Sequence, residues 1–91
     1  MKKHPTEVPL YEGELALLAH HVNAMRYDQV VAFYVQAAKE LGRQAAGDCE
    51  RGRMRLATKL EMVAVKLDVV IMEMKEVWRI CKPHMKEEME G

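Results

Sequence analysis

Apolar residues recur at alternating four- and three-residue intervals along most of this chain. One seam is Tyr11, Leu15, Leu18, Val22 and Met25, and a second is Tyr27, Val31, Tyr34, Ala38 and Leu41. A third, the longest, is Leu56, Leu60, Val63, Leu67, Val70, Met74, Val77 and Cys81. Residues so spaced share one face of a helix and suit left-handed packing at about 20°. Period-two alternation is absent, so no strand is expected.

Local chemistry sets the expected boundaries. Pro9 suits a first helical turn, where its missing N–H costs nothing. Glu12 and Glu14 favour the positive end of that helix. Helix 1 is expected over 10–24, followed by a tight turn at Asn23–Arg26. Tyr27 opens helix 2, which runs to about residue 45. Gly42 is either tolerated inside helix 2 or marks an early stop. Gly47 suits a left-handed C-terminal cap, and Asp48 an N-cap for helix 3. Helix 3 reads to Lys82, where Pro83 ends or kinks it. The chain thus divides into an N-terminal segment (1–9), a helical bundle (10–82) and a charged tail (83–91). Short connections make neighbouring helices antiparallel. The expected fold is all-α, an up-down-up three-helix bundle with a long third helix.

Unequal lengths carry a consequence. Helix 2 spans roughly 28 Å and helix 3 roughly 50 Å at 1.5 Å per residue. Helix 3 is therefore expected to outrun the bundle beyond about residue 68. Val70, Ile71, Met74, Val77, Trp78 and Cys81 lie on that stretch. Burying six such side chains is worth roughly 9–18 kcal/mol before ordering and association costs. Two outcomes fit: this surface packs on another chain, a second copy or a different protein, or helix 3 breaks near Asp68 and folds back.

Composition narrows the function. Ninety-one residues make one small domain, and 49% hydrophobic content supports a core. Fourteen Lys and Arg balance fourteen Asp and Glu. Zero net charge argues against a dedicated nucleic-acid binder and leaves little electrostatic resistance to self-association. The longest apolar run, Val30–Val35, is far below the ~20 residues of a membrane span. Residues 1–7 do not read as a secretory signal. Two cysteines are too few for a disulfide framework, so an intracellular, cytoplasmic setting is expected.

No catalytic or metal-binding constellation is expected. Adjacent His20 and His21 point about 100° apart, not at the i, i+4 spacing that chelates one metal. Cys81 and His84 supply two ligands where a structural zinc wants four. Cys49 and Cys81 lie roughly 48 Å apart on one continuous helix, beyond the ~7 Å a disulfide allows. An intermolecular Cys81 pair stays open beside a free thiol. The hydroxyl nucleophiles are Thr6 and Thr58, neither in a motif, with no serine in the chain. Glu87–Glu88 reads as a solvated pair. The glycines form no phosphate-cradling loop. No cofactor, metal or enzymatic activity is expected.

Arg51, Arg55 and Lys59 form a basic stripe that reads as a solvated face or as a dock for acidic side chains. Met62, Val65, Val69 and Met72 form a second apolar stripe beside the main seam. They read either as core packing or as the lining of a groove for a partner helix.

Tyr27-Asp28-Gln29-Val30-Val31-Ala32-Phe33-Tyr34-Val35-Gln36-Ala37 resembles the second helix of MIT (microtubule interacting and trafficking) domains. Tyr27, Tyr34 and Ala37 hold that family's register. Cys49-Glu50-Arg51-Gly52-Arg53 is similar to the start of helix 3 in its spastin branch. Val30 departs from the family's alanine, Met25 from its turn glycine, and a late Tyr-Leu-x-Arg-Ala-Glu pattern is missing. The resemblance implies a non-catalytic module that binds helical tails of ESCRT-III proteins. Met62, Val65, Val69 and Met72 would line its groove, and Arg55 and Lys59 would meet ligand acids. The alternative is a structural unit that self-associates through helix 3, at Val70, Ile71, Met74, Val77, Trp78 and Cys81.

Overall fold

The computed structural model describes the backbone of residues 4–90 and the side chains of residues 4–84. Glu87 and Glu88 therefore lie outside the described side chains. The protein is all-α, with helices α1 (Leu15–Asn23), α2 (Tyr27–Glu50) and α3 (Met54–Glu90) in up-down-up order. α2 and α3 pack along an extended antiparallel seam, and α1 touches only α2. No Cα of α1 comes within 8 Å of one of α3.

α1 begins at Leu15, five residues later than the expected start at residue 10. Leu10 adopts a left-handed backbone, φ 66°, which a helix cannot contain. Gly13 has no side chain, and the Tyr11 ring lies where its Cβ would be, 2.8 Å from that position. The Tyr11 hydroxyl in turn sits 3.3 Å from His21 Nδ1, folding the N-terminal segment onto α1. The Asn23–Arg26 turn forms as expected. The Asn23 side-chain amide donates to the Ala19 carbonyl at 2.7 Å, and the Tyr34 hydroxyl donates to Asn23 Oδ1 at 2.7 Å.

The α2–α3 junction also moves. Gly47 and Asp48 remain inside α2, which runs to Glu50. Gly52 is the stop instead, with φ +78°. Its N–H donates to the Cys49 carbonyl at 3.0 Å, and the Arg53 N–H donates to the Asp48 carbonyl at 2.8 Å. This pair of bonds is the Schellman arrangement, which satisfies carbonyls at a helix end. Asp48 is 8% exposed, and its carboxylate accepts from Arg53 Nη1 at 3.3 Å rather than capping α3. Pro83 neither ends nor interrupts α3, which stays helical to Glu90.

A longer α2 and a later α3 change how much of α3 protrudes. Arg26, just before α2, lies over Trp78, 5.7 Å from the ring centre. α2 therefore reaches along α3 as far as Trp78, and the overhang begins there rather than at residue 68. α3 neither breaks near Asp68 nor folds back.

The residues of α3 with reduced exposure are Ala57, Leu60, Ala64, Leu67, Ile71, Met74, Trp78 and Cys81. Leu60, Leu67, Met74 and Cys81 belong to the expected seam. The alternate positions are rotated by one residue, so Leu56, Val63, Val70 and Val77 remain 48, 47, 44 and 36% exposed. Ala38 and Ala45 of α2 and Ala57 of α3 are buried. Their small side chains let the two backbones approach closely. Val30 is fully buried, near the α1 end of the hairpin.

The two helix-related glycines make opposite demands. Gly52→Ala should lower stability by about 1–2 kcal/mol, because a left-handed backbone crowds a Cβ. Gly42→Ala should raise it by roughly 0.5–1 kcal/mol, since no atom lies within 4 Å of the added methyl. Urea unfolding of both variants checks the opposite signs.

Candidate interaction site

A shallow groove runs along one flank of the α2–α3 hairpin. Its central part is lined by Val35, Ala38 and Lys39 from α2 and by Ala64, Val65 and Met72 from α3, with Glu61, Asp68 and Lys75 beside them. Towards the α2–α3 turn it continues over Gly42, Ala45, Ala57 and Thr58. Seven-residue spacing explains the arrangement. Ala57, Ala64 and Ile71 sit at one register position of α3, and Glu61, Asp68 and Lys75 sit four residues on from each. Ala57, Ala64 and Ile71 therefore form the floor and charged residues one rim.

The expected groove residues divide between two faces. Val65 and Met72 line the groove and are 57 and 67% exposed. Met62 and Val69 share a seven-residue row with Arg55 and Glu76, on the face of α3 turned away from α2. Lys59 stands beside that row. Arg55 and Lys59 are therefore remote from the groove, whose charged groups are Lys39, Glu61, Asp68 and Lys75. Ala38 belongs to the expected α2 seam, whereas sequence spacing alone does not single out Val35 or Ala64. The signal for Ala64 is its seven-residue spacing from Ala57, matching Ala38 and Ala45, which high helix propensity explains equally well.

The expected self-association residues also divide. Ile71 is buried, 6% exposed, and packs in the seam with α2, so it is unavailable to a second chain. Met74, Trp78 and Cys81 are half-buried on the same face. Val70 and Val77 stay exposed on the flank opposite the groove.

At the open end of the hairpin, Arg26 makes a two-pronged ion pair with Asp28. Nε donates to Oδ1 at 2.7 Å and Nη2 to Oδ2 at 2.9 Å, while the guanidinium covers Trp78. The hydrogen bonds and charge of Arg26 hold the Asp28 carboxyl below its ordinary pKa. Exposed pairs Arg43–Glu40 and Arg79–Glu76 add i, i+3 contacts of the kind worth little in water.

Another concavity, lined by Thr6, Val8, Tyr11, Gly13 and Leu15 with Glu7, Glu12 and Glu14, is the N-terminal segment's own fold. Among the described residues, no three His, Cys, Asp or Glu side chains cluster as a metal site would require. Both cysteines are free thiols, Cys49 exposed and Cys81 half-buried. No described helix is long and apolar enough to cross a membrane. No family model, curated protein or solved structure matches the chain.

A carboxyl with a lowered folded-state pKa contributes stability above its unfolded pKa of about 3.9 and loses it as pH falls through the lower folded value. Arg26→Ala removes the cause of that shift. Its unfolding midpoint should therefore fall below the parent's near neutral pH, and the gap should narrow once Asp28 is protonated. Urea titrations followed by Trp78 emission at neutral and strongly acidic pH measure both gaps.

Proposed function

We propose that the protein is a non-catalytic interaction module that captures an amphipathic partner helix in the groove between α2 and α3. The observation that supports this reading is the groove's construction. Its alanine and glycine floor leaves room for a close helix, and Val35, Val65 and Met72 supply apolar contact. Helix-in-groove recognition needs those two elements, with rim charges to set orientation. Glu61 and Asp68 favour basic residues on the ligand, and Lys39 and Lys75 favour acidic ones.

The resemblance to MIT domains makes C-terminal helices of ESCRT-III proteins the first ligands to try. It also favours a cytoplasmic setting, consistent with two free thiols. Self-association is a second reading, supported by a different face of α3.

Labelled ESCRT-III tail peptides titrated against the full chain test the proposal by fluorescence anisotropy. Val65→Asp and Met72→Asp should each weaken binding at least about tenfold by placing a charge in an apolar contact. Met62→Asp and Val69→Asp, on the outer face, should leave it within about twofold. Equal losses from both pairs would contradict the groove, and no binding by any tail would remove ESCRT-III as the ligand class.

A further inference from the structure

We propose that a second copy of this chain packs antiparallel against α3 along the row Leu56, Val63, Val70 and Val77. This row lies on the flank of the hairpin opposite the groove. All four side chains are substantially exposed, at exact seven-residue spacing. α1 makes no close approach to α3 and leaves them uncovered.

The occupant follows from the row's symmetry and from the charges beside it. A two-fold axis between residues 66 and 67 sets Leu56 opposite Val77 of the second copy and Val63 opposite Val70. Interfaces of this kind are self-complementary, each contact occurring twice. The charged residues flanking the row are Lys59, Lys66 and Glu73, three residues on from Leu56, Val63 and Val70. Antiparallel pairing brings Lys59 beside Glu73 of the second copy, twice per dimer, with one like-charged approach at Lys66 near the axis. Parallel two-fold pairing instead puts the two charged rows on opposite sides of the contact, where Lys59 does not meet Glu73. Charge thus selects the antiparallel arrangement. The chain's zero net charge offers no general repulsion against it.

The size of the row suits a weak dimer. The row spans roughly 32 Å at 1.5 Å per residue. A contact one helix wide, about 10 Å, covers roughly 320 Å² per chain and roughly 640 Å² in total, the size of a weak, transient interface. Assembly should therefore depend on concentration.

Sedimentation equilibrium of the full chain tests this inference. The expected result is a concentration-dependent rise from 10.5 kDa to twice that mass. Val70→Asp should weaken the dimer by more than about tenfold, since it sets a charge opposite Val63 of the second copy. Circular dichroism should show helicity retained, because Val70 is exposed within one chain. Lys59→Glu and Glu73→Lys should each weaken the dimer about threefold or more, and the double variant should restore it. Restoration cannot come from within a chain, because residues 59 and 73 lie roughly 21 Å apart on one helix. A strictly monomeric chain at millimolar concentration, a dimer indifferent to Val70→Asp, or a double variant no better than either single one would each overturn the inference.

Discussion

Helix α3 carries two apolar rows side by side at the same seven-residue spacing, and only one of them can face α2. The row that does so is Ala57, Ala64, Ile71 and Trp78, joined by Leu60, Leu67, Met74 and Cys81. The choice follows from what stands opposite. Ala38 and Ala45 of α2 meet a partner closely only where that partner is also small, as Ala57 and Ala64 are. The bulkier row of Leu56, Val63, Val70 and Val77 is displaced to the flank. Close approach of two alanine-lined backbones thus decides both what is core and what is left exposed.

Much of the fold was legible in the sequence because it rests on periodicity. Helical content, element order, the Asn23–Arg26 turn and half the α3 seam follow from apolar spacing and short connections. The rest required comparing alternatives that local pattern does not separate. Bulky side chains at 56, 63, 70 and 77 make a stronger apolar signal than the alanines that pack. Gly47 and Gly52 are both plausible stops, and only Gly52 takes the left-handed backbone. Asp48 has the chemistry of a cap, yet its place inside α2 follows from where that helix stops. Because the alanine row rather than the valine row faces α2, Val65 and Met72 belong to the groove while Met62 and Val69 do not. The alanine floor was invisible to a reading weighted towards large apolar residues.

The two candidate surfaces lie on opposite flanks of one hairpin. Contact through the valine row would leave the groove with Val35, Val65 and Met72 open. The groove's mixed rim would set direction for a helix bound there, whereas the valine row has charges that match its own reversal. The two surfaces therefore suit different kinds of partner without competing for the same residues. α1 stands apart from both. It is held at the far end by α2, the Tyr34–Asn23 hydrogen bond and the stacking of Arg26 on Trp78.

The Gly52 turn sets the sequence distance over which the main seam must form. Residues of α2 and α3 nearest that turn meet after closing only a short loop, and each further pair lengthens it gradually. Such local connectivity favours rapid folding, with helices zipping together from one corner. Trp78 and Arg26 are among the last to meet on that route, so indole emission should mark the completion of folding rather than its onset.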